Sequence, residues 1–306
     1  MRWVEGVAAV LLCVLAGAAQ QTASPGFTFS ATVGEVLVQA NVLDKKGRSI
    51  DALPQSDFTV YENGVRQTID SFSHADAPVS VGILVDNSGS MLPKRLQVDQ
   101  AALNFVRASN PQDQVFIVKF NDLYRLVAPF TSSIPVMEKG LGEINPNSGT
   151  ALYDTVIRAV EYINRYGTRP KKVLLLVTDG TDDASSHSLK QTMQRLEALS
   201  APLIYCIGLN DPDSSRSLRR DSEKVLLQFA NETGGVVYFP SNMGQVDAIT
   251  RKLAQDIRLQ YSFTYHSNQT RPGYRSIRLE VKDPHLKHLT AHTRRGYMAE
   301  VANGPG

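Results

Sequence analysis

The sequence predicts an α/β protein with a doubly wound, mainly parallel sheet, flanked by a β-sandwich-like module that the N- and C-terminal segments form together. Residues 79–85 (VSVGILV) and 173–177 (VLLLV) are continuous apolar runs, typical of strands covered on both faces. Between residues 79 and 260 such strands alternate with segments of helical periodicity, which favours parallel strands joined by right-handed crossovers. Strand patterns occur at both ends of the chain.

The first β segment is assigned to residues 28–75. Residues 35–43 alternate between apolar and polar side chains, as a half-buried strand does. Residues 57–61 and 65–72 flank Glu62-Asn63-Gly64, and Asn-Gly between two apolar runs indicates a hairpin.

The α/β domain is assigned to residues 79–260. Its predicted helices cover residues 92–108, 135–144, 151–165, 189–199, 217–232 and 246–260. Its remaining predicted strands cover residues 115–120, an edge strand at 124–130, and residues 203–209 and 236–239.

The last β segment is assigned to residues 261–299, with strands predicted at 261–266, 275–282 and 289–298. Each end segment is too short to form an independent core without disulfides or a metal. We therefore expect both ends to form one β-sandwich with the α/β domain inserted between them. The alternative is that each end adds strands to a separate partner.

The extreme ends of the chain are predicted to lie outside the fold. Residues 1–19 have a basic start, an apolar run and small residues near Ala18, the pattern of a secretory signal peptide. We therefore expect an exported protein, located in the periplasm, on the cell envelope or outside the cell. Cleavage would leave Cys206 as the one cysteine, which is expected to be a buried thiol. Residues 300–306 are predicted to be a disordered tail.

Charge is unevenly distributed along the chain. The net charge is +2, which disfavours general nucleic-acid binding. Residues 251–306 carry +6 and residues 1–250 carry −4, but the basic residues are spread along predicted strands and indicate an exposed sheet face. Asp182 and Asp183 are interpreted as part of a solvated loop, with a second ion site or an acidic rim as the alternatives.

Oxygen-bearing side chains follow the buried strands in three loops. Asp86, Ser88 and Ser90 come directly after the first apolar run, and Asp179 follows the second. Thr150 ends a turn-rich loop just before a predicted helix. Doubly wound sheets bind ligands at the carboxyl ends of their strands, and hard divalent cations prefer oxygen ligands. These five residues therefore predict a metal site of two carboxylates and three hydroxyls.

This pattern, Asp-x-Ser-x-Ser followed by a distant Thr and an Asp before Gly, resembles the metal-ion-dependent adhesion site of von Willebrand factor A domains. The chain also resembles exported bacterial VWFA-related proteins, notably from acidobacteria, in residues 57–64 (DFTVYENG), 149–154 (GTALYD) and 294–297 (RRGY). The resemblance implies Mg²⁺, or alternatively Mn²⁺ or Ca²⁺, and a protein partner that presents an Asp or Glu carboxylate to the metal. It implies binding without catalysis.

Two other functions stay open: a Mg²⁺-dependent hydrolase or phosphatase, and a structural protein of the cell envelope. Phosphatases of the haloacid dehalogenase type need a second Asp two residues after the first, where Ser88 stands. Ser88 is not in a Gly-x-Ser-x-Gly motif, and no Gly-Lys-Ser/Thr occurs in the sequence. We therefore expect a binding protein and not an enzyme.

Overall fold

The computed structural model describes residues 34–142, 149–209 and 214–299. Its strands are β1 Glu35–Leu43, β2 Phe58–Glu62, β3 Val65–Arg66, β4 Ser71–Ser73, β5 Val79–Asp86, β6 Gln114–Phe120, β7 Tyr124–Thr131, β8 Lys171–Thr178, β9 Leu203–Gly208, β10 Val237–Tyr238, β11 Tyr261–His266, β12 Gly273–Val281, β13 Thr290–Thr293 and β14 Gly296–Ala299. Its helices are α1 Arg95–Ala108, α2 Ile134–Gly142, α3 Leu152–Tyr166, α4 Leu189–Ala198, α5 Arg216–Thr233 and α6 Gly244–Arg258, and short 3₁₀ helices cover Gln55–Asp57 and Gly89–Lys94.

The predicted signal peptide at residues 1–19 and the predicted tail at residues 300–306 lie outside the described residues. Within the three described ranges, no helix combines the length and the apolar character needed to span a membrane.

A six-stranded sheet forms the centre, in the order β10-β9-β8-β5-β6-β7. Its strands run parallel except β7, which pairs antiparallel with β6 at the edge, where the sequence predicts an edge strand. In the middle strand β5, Ile83 is in register with Ile117 of β6 and Leu175 of β8. All eight residues of β5 are buried, as expected where helices cover both faces. The predicted fold class is confirmed.

Helices cover this sheet on both faces. One apolar cluster joins Val81 and Ile83 to α1, α2 and α6, and a second joins Leu84 and Leu176 to α3, α4 and α5. Successive side chains of a strand point to opposite faces, so a continuous apolar run supplies both clusters. Cys206 of β9 is fully buried in the second cluster, as predicted, and this burial raises the pKa of its thiol.

The two ends of the described chain pair with each other in a β module of two four-stranded sheets. One sheet has the order β13-β1-β11-β4 and the other the order β14-β12-β2-β3, with β1 antiparallel to β11 and β2 antiparallel to β12. Val38, Val60 and Phe263 share one buried cluster between them. The arrangement is the expected one, in which the α/β part is inserted between the two halves of the β module.

Two strand predictions in the β module are wrong because the chain crosses between its sheets. Residues 65–72 divide into β3, beside β2, and β4, beside β11. Residues 289–298 divide into β13 and β14 in the same way. The crossing after Thr293 packs so closely on Gly234 that a Cβ at Gly234 would lie 2.3 Å from the Thr293 carbonyl carbon. These breaks depend on tertiary packing.

The helix predicted over residues 92–108 begins later than expected. Gly89–Lys94 forms a 3₁₀ helix that contains Pro93, and α1 begins at Arg95. Proline has no backbone N–H and clashes with the preceding turn inside an α-helix, so the regular helix starts after it.

A buried lysine joins the α/β part to both connections with the β module. Lys171, at the start of β8, donates hydrogen bonds to the carbonyl oxygens of Ala75 (3.1 Å), Arg258 (2.9 Å) and Gln260 (3.4 Å). Ala75 precedes β5 and Gln260 follows α6, so one ammonium group contacts both crossings. Burial lowers the pKa of Lys171 to about 8.

The β module contains a buried carboxyl group, that of Glu62, which is fully inaccessible to solvent. Its Oε2 accepts hydrogen bonds from the hydroxyls of Tyr265 (2.6 Å) and Tyr297 (2.9 Å). Its Oε1 accepts one from Ser267 and lies 3.6 Å from a guanidinium nitrogen of Arg275. The motifs at residues 57–64 and 294–297 therefore meet in one internal polar network.

Candidate metal-binding site

The five predicted ligands all lie at the carboxyl-end edge of the central sheet. Asp86 ends β5, and the backbone N–H of the next residue, Asn87, bonds the carbonyl of Phe120 at the end of β6 (2.7 Å). Asp179 directly follows β8, and Thr150 lies two residues before the start of α3. Parallel strands bring these loops to one edge, as the sequence argument requires.

Hydrogen bonds join four of the five residues. Asp86 Oδ1 accepts from the backbone N–H of Ser88 at 2.9 Å. The hydroxyls of Ser88 and Ser90 are 3.2 Å apart, and Ser90 Oγ donates to Asp179 Oδ2 at 2.6 Å. The loops after β5 and β8 are thus connected through the side chain of Ser90. Asp86, Ser88 and Asp179 are buried, whereas Ser90 is exposed, so the cluster opens to solvent at Ser90.

Two threonines that sequence reasoning missed orient the carboxylates. Thr178 Oγ1 donates to Asp86 Oδ2 at 2.6 Å and accepts from the backbone N–H of Gly180 at 3.0 Å. Thr181 donates to Asp179 Oδ1 through its backbone N–H (3.0 Å) and its hydroxyl (2.7 Å). For Thr178, the sequence offered one signal, which is a polar residue directly after the apolar run 173–177.

Thr150 reaches the site through backbone contacts with the loop after β8. Its N–H donates to Asp183 Oδ1 at 2.6 Å, and its carbonyl accepts from the N–H groups of Asp183 (3.0 Å) and Ala184 (3.2 Å). The next residue, Ala151, donates to the carbonyl of Asn121 at 2.6 Å. Thr150 is buried between the loops that follow β6 and β8, and its side chain does not take part in the hydrogen bonds that join the other four residues.

Asp182 and Asp183 lie in a loop, as interpreted, where Asp183 is exposed and Asp182 is partly buried. Both side chains also accept hydrogen bonds at the start of α3. Asp183 holds Thr150, and Asp182 Oδ1 accepts from the backbone N–H of Tyr153 (3.1 Å) and from Ser185 Oγ (2.6 Å). Free N–H groups at a helix start favour carboxylate acceptors, and the start of α3 is bonded in this way. Burial raises the pKa of Asp182.

Asp154 fixes the far side of the same loop. Its Oδ2 accepts from the N–H (2.9 Å) and hydroxyl (2.7 Å) of Ser186, and its Oδ1 accepts from the N–H of His187 at 3.1 Å. The ring Nδ1 of His187 lies 2.7 Å from Oδ1. Partial burial acts to raise the pKa of Asp154, but these hydrogen bonds outweigh it and lower the pKa to about 2.

The electrostatics of the cluster are those of two neighbouring anionic groups. Burial raises the pKa of Asp86 to about 6, and the charge of Asp179 adds to that increase, while hydrogen bonds from Ser88 and Thr178 oppose it. Within the described residues, neither Asp86 nor Asp179 forms an ion pair with a Lys, Arg or His side chain.

The residues present fit a hard divalent cation. The cluster offers only oxygen atoms, from the carboxylates of Asp86 and Asp179 and the hydroxyls of Ser88 and Ser90, with Thr150 at its border. Oxygen donors with two negative charges suit Mg²⁺, which commonly keeps water in its remaining positions. In the part of the chain that the structure describes, no cationic side chain balances the like charges of the two carboxylates, and a bound cation would supply that balancing charge.

The central part of the chain corresponds to a known class of domain. Residues 81–181 match the family model described as the von Willebrand factor type A domain, and the α/β fold with its mainly parallel sheet is of that type. No curated protein matches the sequence significantly.

Two solved structures illustrate the likeness. The von Willebrand factor type A protein from Catenulispora acidiphila is 14% identical, with 86% of this chain and 73% of that chain covered and a TM-score of 0.52. The pilus adhesin SpaC from Lactobacillus rhamnosus GG, in an open conformation, is 13% identical, with 79% of this chain and 41% of that chain covered and a TM-score of 0.50. At these identities the likeness concerns the fold.

Proposed function

We propose that this chain is an exported, divalent-cation-dependent protein-binding module of the VWFA-related group, and that the cation recruits an acidic side chain of its partner. The observation that carries the proposal is the pair of buried carboxylates, Asp86 and Asp179, which come from separate strands and are joined through the exposed Ser90. Buried like charges that lack a cationic partner are costly to the fold and are typically retained for function.

The ligand set follows from the positions of the side chains. Asp86, Ser88, Ser90, Thr150 and Asp179 would hold Mg²⁺, with Mn²⁺ or Ca²⁺ as alternatives. When bound, the cation supplies a positive centre with a coordination position for a carboxylate. The threonines at 178 and 181 orient the two aspartates, so the carboxylates are fixed before any ligand arrives.

Binding is favoured over catalysis by the hydrogen bonds of the site. Among the described residues, the hydroxyls of Ser88 and Ser90 bond each other and the carboxylates of Asp86 and Asp179, and no histidine bonds either serine. The nearest histidine along the loop, His187, bonds Asp154 through Nδ1. We therefore propose a non-enzymatic role, in keeping with SpaC, a pilus adhesin of the same fold.

Calorimetric titration with Mg²⁺, Mn²⁺ and Ca²⁺ tests the metal site. We expect the wild-type chain to bind at least one of these cations and Asp86→Ala/Asp179→Ala to lose that binding. The matched control is Asp221→Ala/Glu161→Ala, which removes two exposed carboxylates and should retain the affinity. Equal affinity in the wild type and the Asp86→Ala/Asp179→Ala variant would refute the metal site. Turnover of phosphate esters that is lost in that variant would instead favour the hydrolase.

Export is tested separately with residues 1–25 fused to a reporter enzyme that is active only outside the cytoplasm. Reporter activity supports an exported location, which is also in keeping with the pattern of residues 1–19. A cytoplasmic, uncleaved fusion would contradict it without affecting the metal site.

A further inference from the structure

Four exposed leucines, which we call the apolar rim, follow the carboxyl ends of the parallel strands. Their exposed fractions are 47% for Leu92, 82% for Leu96, 49% for Leu123 and 47% for Leu218. Single exposed leucines are ordinary on protein surfaces, but several around one polar cluster indicate a site of interaction. The position of each leucine relative to the candidate metal site is therefore informative.

Leu92 lies beside the loop after β5, which contains Asp86, Ser88 and Ser90. It is two residues after Ser90 in the 3₁₀ helix, whose start is fixed by the bond from the Met91 N–H to the Ser88 carbonyl at 3.1 Å. Lys94 Nζ donates to the carbonyl of Leu209 at 2.9 Å, which holds this helix against the end of β9. Leu96 follows on the first turn of α1.

Leu218 lies beside the loop after β8, which contains Asp179. A Cβ placed on Gly180 would come within 3.0 Å of the carbonyl oxygen of Ser222, so α5 packs directly on the loop that contains Asp179. Leu218 is four residues before Ser222, and residues four apart share a helix face. It therefore lies one turn nearer the start of α5, on the side of the metal loop.

Leu123 lies beside the loop that contains Thr150. Its N–H donates to Asn121 Oδ1 at 2.9 Å, in the turn between β6 and β7. The carbonyl of Asn121 accepts from the N–H of Ala151 at 2.6 Å, and Ala151 follows Thr150. Each of the three predicted metal-binding loops thus has an exposed leucine next to it.

The start of α5 presents two exposed arginines. Arg216 and Arg220 are exposed, and the first turn of the helix contains no acidic residue. Basic groups at a helix start oppose the helix dipole, so they do not stabilise α5 by that route. They are complementary to a negatively charged partner that approaches the candidate metal site.

We propose that the apolar rim binds the apolar side chains that flank the metal-directed acidic residue of the partner. The ligand is then a protein segment in which an Asp or Glu lies within a few residues of Leu, Ile, Val or Phe. The inference rests on the proposed function, because the acidic residue of that segment is the one that the cation would receive. The rim supplies selectivity among acidic segments, since a carboxylate alone cannot distinguish them.

A random peptide library displayed on phage, selected against the immobilised full chain in Mg²⁺, tests the proposal. We expect enriched peptides that contain an acidic residue next to apolar ones and that are eluted by EDTA. Acidic peptides without an apolar preference, or no enrichment at all, would overturn the rim and leave the metal titration to decide the proposed function. Enriched peptides that lack an acidic residue and resist EDTA would contradict the proposed function itself.

Variants of the rim give the quantitative test on a synthesised enriched peptide. Leu92→Ser/Leu218→Ser is expected to weaken peptide binding at least about tenfold, since two leucines that the bound peptide would cover are lost. Leu227→Ser/Leu286→Ser removes two leucines of 42% exposure away from the rim and should change binding less than about twofold. Unchanged Mg²⁺ titration in both variants separates the rim from the metal site. Self-association of the wild type that Leu92→Ser/Leu218→Ser abolishes would overturn the proposal and assign the rim to a second copy.

Discussion

Both halves of this molecule contain buried carboxyl groups, and the surroundings of these groups are opposite. Glu62 lies in the β module, and Asp86 and Asp179 lie in the α/β part. Glu62 receives two tyrosine hydroxyls and a serine hydroxyl, and Arg275 lies 3.6 Å away, all within the β module. Asp86 and Asp179 accept hydrogen bonds from β8 and from the loops after β5 and β8, and neither has a cationic partner among the described residues. Their cluster opens to solvent at the exposed Ser90. Burial alone therefore does not mark a functional carboxylate, whereas burial without a balancing charge beside an opening does.

The largest effect is expected from Glu62→Ala. Removal of this carboxyl group leaves Arg275 and the two tyrosines without their shared acceptor, and breaking a buried polar pair costs about 4 kcal/mol. We expect the free energy of unfolding, measured in urea, to fall by about that amount while Mg²⁺ still stabilises the variant.

Glu280→Ala, which removes a partly exposed carboxylate of β12, is the control and should change stability little, because exposed ion pairs contribute little. If Glu62→Ala stays folded but Mg²⁺ no longer stabilises it against urea, the two carboxyl clusters are not independent of each other.

The next effect is expected at the junction between the two halves. Lys171→Met leaves three carbonyl oxygens without their shared donor and should destabilise the protein by about 3 kcal/mol. The folded-state pKa of Lys171 is about 8, below its ordinary value of 10.5, so between these pH values the unfolded chain binds more protons. Stability from this group therefore rises with pH in that window, and the gap between wild type and variant should widen from pH 8 upwards.

Urea unfolding at several pH values measures that gap. Lys172→Met, one residue along, removes a bond to the Asn164 carbonyl only. Burial lowers the pKa of Lys172 as well, but by less than that of Lys171, so this gap should be smaller and widen less with pH. If the difference in the free energy of unfolding between wild type and Lys171→Met narrows above pH 8, the lowered pKa of Lys171 is contradicted.

A smaller effect on stability, with a second effect on binding, is expected from Thr178→Val. The substitution keeps the shape and removes the bonds to Asp86 Oδ2 and from the Gly180 N–H, at a cost of about 2 kcal/mol. Because Asp86 loses the group that orients it, Mg²⁺ affinity should fall about tenfold in calorimetry. Thr178→Ser, which retains the hydroxyl, should restore the affinity. Failure of that rescue would mean that Thr178 acts through packing.

The smallest effect is expected from Asp154→Asn, which weakens the loop after β8. The folded-state pKa of Asp154, about 2, lies below its ordinary value of 3.8, so its stabilising contribution is present above pH 3.8 and is lost as pH falls towards 2. We expect a loss of about 1 kcal/mol at neutral pH that disappears near pH 2 in thermal unfolding. Asp221→Asn, an exposed residue of α5, should show no such dependence, and a loss that persists at pH 2 would contradict the prediction.

Much of the fold was accessible from the sequence because burial on both sheet faces leaves continuous apolar runs. The positions of Asp86, Ser88, Ser90 and Asp179 followed from the ends of those runs, and the structure brings these four together. Their roles as metal ligands stay predictions.

Other features depend on contacts between residues far apart in the chain. Glu62 and Tyr297 are 235 residues apart, and nothing near either one predicts their hydrogen bond. Thr178 lies in an apolar strand, where a threonine is equally compatible with simple packing. The crossings between sheets at residues 67–70 and 294–295 interrupt segments whose local pattern is that of one strand.

The insertion of the α/β part into the β module has a mechanical consequence. Two covalent connections, one before β5 and one after α6, leave the α/β part side by side, and Lys171 contacts both. A pulling force applied at the carboxyl-end edge therefore divides between two tethers. A domain attached by one linker would swivel under the same load, whereas this one keeps its orientation.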